Sequence, residues 1–464
     1  MARHFSQPTH RKIFLHLLLC LFLIASPANG QSTTASVSTP VPMPREDRLR
    51  IFDQVWRAVY DNYYDRRFHG VDWRIQRDLY RPQAETVSSS EGLYRVLRQM
   101  IGKLGDAHTR IYSPDDGFDR HRPSGTTIGV IVRRVEGKPT VTWVDPGSEA
   151  ARQGIRPGFQ VAMVDGLATE KRLTQIREEV GESSTSIALE LQSFDRLFYG
   201  PRDTAVNVAF VGDNGATRQL ALQRKYVEFQ RRVTVRKFAQ QRIGYIEVTG
   251  FGPEIERDFD TAMQSMQGTR GLILDLRNNG GGFVTTVTQV ASYFFSEETN
   301  LGEFITRQGR STARQTQRIR APYREPLVIL VSSRSASGSE ILAGAMQERR
   351  RALIVGTNPT TCGCLLGVSR TLRLTDGGKL NISDTDYRSA LGKRIEGIGI
   401  RPDRHIDVTV ADLLAGRDRP MDVAIEHLGR FAVFGSRGKA FDFKLVIPEM
   451  TSGRSFPAGT QQKR

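Results

Sequence analysis

The stretch PLVILVSSRSASGSEILAGAMQE, residues 326–348, decides the fold class of this chain. It opens with the uninterrupted apolar run PLVILV, which is typical of a buried strand. Ile341, Leu342 and Met346 then follow at helical spacing. The serine-rich segment between the two patterns therefore predicts a strand-to-helix joint, with Ser337 in it.

The same alternation of strand and helix extends to both sides of this joint. IGYIEVTGF, RGLILDL and RALIVG have strand patterns, and PEIERDFDTAMQSM and GGFVTTVTQVASYFF have helical ones. Such alternation predicts an α/β core. Further on, VSRTLRL and KLNISDTDY predict a hairpin across TDGG.

The first part of the chain has helical periodicity. In RLRIFDQVWRAVYDNYY, residues Ile51, Val55, Val59 and Tyr63 fall on one helical face. VDWRIQRDLY indicates a shorter helix, and SEGLYRVLRQMIGKL a further one with Ser90 as its N-cap. These segments predict a small helical domain that ends in LGDAHTR.

A β-rich segment separates the helical part from the core. TTIGVIVRRV and KPTVTWV have strand patterns, and DPGSEAARQGIRPGFQVAMVDG indicates a short helix followed by a strand. DTAVNVAFVGDNGATRQLALQRK predicts a hairpin with its turn at residues 213–215. The segment therefore predicts a small β domain.

Composition and charge narrow the class of protein. A chain of 464 residues is long enough for two or three domains. The net charge of +16 could indicate nucleic acid or an anionic membrane surface. The basic residues form no long block, however, and no nucleic-acid motif is present. We therefore expect a solvated basic surface and no nucleic-acid partner.

The N-terminus has the pattern of an export signal. Arg3, Arg11 and Lys12 precede the apolar run 13–25, and SPANG follows it. This pattern predicts a signal peptide over residues 1–30, with a retained membrane tether as the alternative. Residues 31–44 are rich in Ser, Thr and Pro and predict a linker. We expect a periplasmic or secreted protein without a stable membrane span after cleavage.

Cys362 and Cys364 are the two cysteines that remain outside this signal. Their spacing is short for an ordinary disulfide, and two cysteines do not make a zinc site. We expect two small, partly buried side chains, with a redox-active bridge as the alternative.

Two loops carry candidate chemistry. Ser337 lies where helix N-terminal N–H groups would face a developing oxyanion, which suits a nucleophile, although a serine before a helix is commonly just an N-cap. LDLRNNGGGF places three glycines between a strand and a helix, where backbone N–H groups can approach a substrate. An oxyanion hole, a phosphate cradle and a plain turn are the alternatives there, and no nucleotide-binding motif is present.

The motifs together resemble peptidase family S41, the tail-specific or C-terminal-processing peptidases. DW at residues 72–73, LGDAHT, LDLRNNGGG, SASGSEILAGAMQ and IEGIGIRPD occur in the family's order. The resemblance implies an α/β (α+β) fold whose protease core is ClpP/crotonase-like. It places a helical domain at 45–115, a PDZ-like domain at 116–228, the core at 229–410 and a C-terminal extension at 411–464, disordered at its end.

The resemblance also implies a catalytic set. Ser337 matches the nucleophile, and the oxyanion donors would be the N–H of Gly338 and one from Gly280 or Gly281. The turn that carries a lysine base in many members here reads NPTTCGCLLG, without lysine. The chain resembles instead a tricorn-like branch in which His108 would be the base and Glu396 the orienting carboxylate. Glu340 is an alternative carboxylate.

The β domain resembles a PDZ domain, which implies peptide capture at Thr127, Ile128, Gly129 and Val130. The segment between its two halves is longer than a compact PDZ domain needs. We therefore predict an exported serine endopeptidase that acts on protein or peptide substrates without metal or cofactor. The alternative is an inactive peptide-binding scaffold. The sequence does not predict an oligomeric state.

Overall fold

The computed structural model describes residues 42–116, 119, 121–368 and 371–434, with side chains up to residue 430. The predicted signal peptide, nearly all of the linker and the end of the C-terminal extension lie outside these residues. Among the residues described, none of the helices combines the length and the apolar character that a membrane crossing requires.

The N-terminal part is helical, as its periodicity predicts. Its elements are α1 (Arg45–Asn62), α2 (Trp73–Thr86), α3 (Ser90–Gly102) and the short strand β1 (Arg110–Tyr112). The predicted face of α1 is buried, including Val55 and Val59 at 0% exposure. The N-cap of α3 is Ser89 rather than the predicted Ser90, because the Ser89 hydroxyl accepts the N–H of Gly92 at 3.2 Å.

The β-rich part folds around one antiparallel sheet. Its elements are β2 (Ser124–Thr127), β3 (Val130–Val135), β4 (Lys138–Val144), α4 (Glu149–Arg152), β5 (Gln160–Val164), β6 (Leu167–Ala168), α5 (Thr169–Val180), α6 (Ser186–Asp195), β7 (Ala205–Val211), β8 (Thr217–Gln223) and β9 (Lys225–Glu228). The sheet has the order β3-β4-β5-β7-β8, so β3 is an edge strand. The predicted hairpin is the pair β7 and β8. The long segment between the two halves of the β-rich part forms α5 and α6.

The third part contains the α/β core. Its elements are β10 (Val233–Phe238), β11 (Ile243–Val248), α7 (Pro253–Ser265), β12 (Gly271–Asp275), α8 (Val284–Ser292), β13 (Asn300–Thr306), β14 (Ser311–Gln315), β15 (Leu327–Val331), α9 (Gly338–Glu348), β16 (Ala352–Gly356), β17 (Leu366–Gly367), β18 (Thr371–Arg373), β19 (Lys379–Asn381), β20 (Thr385–Ser389), β21 (Arg404–His405), α10 (Val410–Leu414) and α11 (Arg419–Phe434).

The central sheet of the core has the order β10-β11-β12-β15-β16-β21. The pairs from β11 to β21 are parallel, and β10 is antiparallel at its edge. One face is covered by α7, α8 and α9. Because the carboxyl ends of parallel strands lie at one edge, the loops after β11, β12, β15 and β16 meet there.

The other face of this sheet is covered by α11. Ala424 and Leu428 of α11 are buried against residues of β11, β12, β15 and β16. The segment after residue 410, which the sequence predicts as a C-terminal extension, therefore supplies the helix that covers this face of the sheet.

The helical part and the core are joined by strand pairing. β1 pairs with β19 of the predicted hairpin, and β18 continues this sheet. Leu374, Leu380 and Ile382 pack in the same cluster as the buried residues of α1 and α3. The loop before β1, residues 106–109, is thereby fixed relative to the core.

Candidate active site

Ser337 lies between the buried strand β15 and helix α9, as the sequence predicts. Its backbone has φ +52° and ψ −112°, an unusual conformation for a residue with a side chain. It occupies the N-cap position of α9, and its N–H donates to the carbonyl of Cys364 and to the carboxylate of Glu340, both at 3.0 Å. The half-buried side chain is thus presented at a sharp turn.

Glu340 is completely buried and receives four hydrogen bonds. Besides the Ser337 N–H, the donors are the Thr361 hydroxyl at 2.6 Å, the Gly363 N–H at 2.8 Å and the Cys364 N–H at 3.0 Å. Burial raises the pKa of Glu340 to about 7, and these hydrogen bonds oppose the shift. Its carboxylate therefore connects two loops beside Ser337, and none of the bonds is made to a histidine.

The glycine loop packs directly against Ser337. A Cβ added to Gly281 would lie 2.8 Å from the Cβ of Ser337 and 2.8 Å from the nitrogen of Gly338. The described residues offer no hydrogen-bond acceptor to the N–H of Gly338, which points from the first turn of α9. The N–H of Gly281 donates to the Asn279 side chain at 2.8 Å. The N–H of Gly281 is therefore already used in this hydrogen bond and does not point to an oxyanion as predicted. Gly280 is exposed.

His108 follows α3 in a loop that Asp106 organises. The Asp106 carboxylate accepts the N–H groups of His108 and Thr109 at 2.6 and 2.8 Å, and the Ser383 hydroxyl at 3.0 Å. Asp106 therefore caps the turn. The Nδ1 atom of His108 is buried and has no hydrogen-bond partner among the described residues. Burial lowers the pKa of His108 to about 4, and the neighbouring Asp106 charge opposes this shift.

Glu396 is also buried, with 4% of its surface exposed. Its Oε2 accepts the Leu365 N–H at 2.5 Å, and its Oε1 has no hydrogen-bond partner within the described part of the chain. Burial raises the pKa of Glu396 to about 8. The Asp106 charge adds to this shift, while the neighbouring Ser184 hydroxyl opposes it.

A small buried cluster brings these loops together. Ala107, next to His108, packs with Cys362 and Cys364, and Ala336, next to Ser337, packs against the same cluster. The backbone segments of the predicted nucleophile and base therefore lie on one cluster, although 229 residues separate them in the chain.

The segment between α5 and α6 contributes to the site, which its sequence pattern did not predict. The Ser184 hydroxyl accepts the Ala107 N–H at 2.8 Å, and the Thr185 hydroxyl donates to the Cys362 carbonyl at 2.7 Å. The unexplained length of this segment was the one feature of the sequence that could have indicated this contribution. The segment extends from the β-rich part to Ala107 and Cys362.

Cys362 and Cys364 form a disulfide. The expectation of two unbridged side chains is therefore wrong. The loop that carries them turns at Gly363, whose φ is +67°, and this turn brings the two Cα atoms to 5.2 Å, within the range that a disulfide spans.

The predicted peptide-capture loop joins β2 to the edge strand β3. Gly129 has φ +80°, and a Cβ there would lie 2.2 Å from the Cβ of Ser148, so only glycine fits. Its N–H donates to the Thr127 hydroxyl at 3.0 Å, and Ile128 is buried. Val130 opens β3, whose outer edge is not paired in the sheet.

A serine at the joint between a strand and a helix, with glycines packed against it, is an arrangement that suits a serine-type peptidase on an α/β sheet. Comparison with known families agrees with this class. Residues 242–406 match Peptidase family S41, and residues 44–102 match the Tricorn protease C1 domain. The chain therefore contains a domain of peptidase family S41, over residues 242–406.

Its relatives include carboxyl-terminal-processing enzymes. The chain is 27% identical to carboxyl-terminal-processing peptidase 3, chloroplastic, of Arabidopsis thaliana, over 84% of this chain and 75% of the relative. It is 24% identical to the carboxyl-terminal-processing protease of Synechocystis sp., covering 84% and 89% of the two chains. The solved structure of a photosystem II D1 C-terminal processing protease is 26% identical, with a TM-score of 0.55 over 82% of this chain and 97% of that one.

The hydrogen bonds of Glu340 generate a first prediction. In Glu340→Gln, an amide NH₂ faces the converging donors, so we expect the free energy of unfolding to fall by about 2–4 kcal/mol and peptide cleavage to fall at least tenfold. The matched control is Glu348→Gln on the same helix, whose carboxylate accepts one hydroxyl bond, from Ser389. Denaturant unfolding and kcat measure the two effects. Equal losses in both variants would contradict the role given to Glu340.

Proposed function

We propose that this chain is an exported serine endopeptidase that cleaves unfolded or C-terminal segments of proteins through an acyl-enzyme. Ser337 is the nucleophile, His108 the general base and Glu396 the carboxylate that orients it. The observation that carries the proposal is the backbone of Ser337. It adopts a positive φ at the start of α9, with Gly281 packed against it and the Gly338 N–H lacking an acceptor among the described residues.

The reaction follows from these positions. Ser337 Oγ attacks the scissile carbonyl carbon while its proton passes to a ring nitrogen of His108. The N–H of Gly338, with that of Gly280 in the adjoining loop, faces the oxygen that becomes negative. His108 then gives its proton to the leaving amine, and a water molecule, deprotonated by His108, releases the acyl group from Ser337.

The pairing of His108 with Glu396 is supported by two unsatisfied atoms. His108 Nδ1 and Glu396 Oε1 are both buried without a partner among the described residues, which is costly for polar atoms. The segments that carry the two residues meet at the same loop, since Ala107, next to His108, packs with Cys362 and Cys364, and the N–H of Gly397, next to Glu396, donates to the Gly363 carbonyl. A hydrogen bond from Nδ1–H to Oε1 satisfies both atoms, and closure of the loops on a substrate would bring them together.

Export is supported by the disulfide as well as by the predicted signal. Disulfides persist in oxidising compartments such as the periplasm and the extracellular space. The Cys362–Cys364 bridge therefore agrees with the signal pattern over residues 1–30, which lie outside the described part of the structure.

This function is tested with the full chain. Mass spectrometry of the purified protein shows whether residues 1–30 have been removed. We expect wild type to cleave casein or an unfolded peptide, and Ser337→Ala and His108→Ala to lower kcat by at least a thousandfold, because nucleophile and base act as a unit. His405→Gln is the control histidine variant, since the His405 ring pairs with the exposed carboxylate of Asp407 and not with a proposed catalytic residue.

Undiminished cleavage by Ser337→Ala would refute the nucleophile. If wild type cleaves nothing but binds C-terminal peptides, the scaffold alternative replaces the proposal.

The buried imidazole generates a pH prediction. Burial lowers the pKa of His108 to about 4, so the neutral imidazole that can accept a proton persists well below the ordinary histidine pKa of about 6.5. We therefore expect the His108 ring itself to titrate below pH 6, followed by NMR in histidine-labelled protein with its signal identified by its absence in His108→Ala. The stability that His108 contributes is full above pH 6.5 and is lost as the pH falls towards 4. Titration of the His108 ring at pH 6.5 or above would contradict this prediction, and the control variant His405→Gln should leave the His108 signal unchanged.

Peptide capture at Thr127–Val130 is supported by the open edge of β3, where an extended peptide can add a strand. Because the Gly129 N–H is occupied, the carboxylate would bind the other backbone N–H groups of this loop. We expect a peptide with a free C-terminus to bind Ser337→Ala at least tenfold tighter than its amidated form, measured by fluorescence anisotropy. Equal affinities would show that this loop does not recognise the carboxylate.

A further inference from the structure

The Cys362–Cys364 disulfide lies inside the proposed catalytic loops. We propose that it is a positioning element for Ser337: the bridged loop, residues 362–364, holds the nucleophile in place, and turnover depends on the intact S–S bond. This inference rests on the proposed function, because it names a further requirement of the same site.

The first support is the backbone bonding of the bridged loop to the nucleophile loop. The Cys364 carbonyl accepts the Ser337 N–H at 3.0 Å, and the Cys362 N–H donates to the Ser335 carbonyl at 3.1 Å. Ser337 is therefore held on its N-terminal side by both ends of the bridged loop. A rotation of either peptide unit would release one of these bonds.

The second support is the bonding of the same loop to Glu340. Gly363 and Cys364 supply two of the four donors to this buried carboxylate. Loss of these donors would leave a buried charge less well satisfied, which is costly. The conformation of the bridged loop and the start of α9 therefore depend on each other.

The third support is contact with the other proposed catalytic segments. The Cys362 carbonyl accepts a hydrogen bond from the Thr185 hydroxyl. The Gly363 carbonyl accepts the N–H of Gly397, which is next to Glu396. The two cysteines are 5% and 3% exposed, and they pack with Ala107, next to His108. One bridge thus contacts the segments of nucleophile, base and carboxylate.

Reduction has a definite steric consequence. A dithiol reductant transfers two electrons and two protons to the bridge, giving two thiols and its own cyclic disulfide. The sulfur atoms then separate from about 2.05 Å to a non-bonded distance of roughly 3.5 Å or more. In a close-packed cluster that includes Ala107 and lies against Ala336, this displaces the neighbours of His108 and Ser337.

The test measures cleavage by the purified full chain before and after dithiothreitol, with alkylation and peptide mass mapping to count free thiols at Cys362 and Cys364. We expect kcat to fall at least tenfold in proportion to the reduced fraction, KM to stay within twofold, and reoxidation to restore kcat. A Cys362→Ser, Cys364→Ser variant should have the reduced kcat in both conditions.

Retention of kcat by molecules shown to carry both free thiols would overturn the inference. If the double variant fails to fold, the reduction and reoxidation cycle of wild type, followed also by circular dichroism, decides alone. Loss of kcat with an unchanged spectrum supports positioning, and global unfolding contradicts it. Ser337→Ala in the oxidised state separates the two proposals, since its activity would refute the proposed function whatever the disulfide does.

Discussion

The site is organised around a buried carboxylate that is satisfied entirely by donors from the loops beside it. Removing a charge from water costs several kcal/mol, and that cost is offset only where hydrogen bonds converge on the charge. Glu340 receives donors from Ser337, Thr361, Gly363 and Cys364. The loops after β15 and β16 are therefore fixed to one another at the point where Ser337 is presented.

Asp106 repeats this arrangement on the other side of the site. It fixes the backbone of His108 through the His108 and Thr109 N–H groups and connects the turn to Ser383 of the core. The negative charges of Asp106 and Glu340 both raise the pKa of Glu396. Three carboxylates in one buried region disfavour a charged Glu396 in the free enzyme. If substrate binding brought the His108 ring to Glu396, a hydrogen bond from the ring would favour the charged form of Glu396.

Local patterns made much of the architecture predictable. The apolar run and the helical spacing around Ser337, the face of α1 and the hairpin of β7 and β8 depend on neighbours in sequence, and all appear in the structure. The pairing of β1 with β19, the contact of Ser184 with Ala107 and the occupation of the Gly281 N–H depend on distant residues. Periodicity carries no information about such contacts. The disulfide was missed because the tight turn at Gly363 is a backbone property that cysteine spacing does not reveal.

The long segment in the β-rich part now has a physical function in the fold. α6 is tied to the edge strand β3 by ion pairs from Arg133 to Asp195 and from Arg134 to Glu190. The residue before α6, Thr185, holds Cys362 of the bridged loop. A peptide that adds to β3 therefore contacts a strand that is linked, through one helix, to the loop that supports Ser337. Since packed elements move as units, a shift of α6 on peptide binding would act on the bridged loop before substrate reaches Ser337.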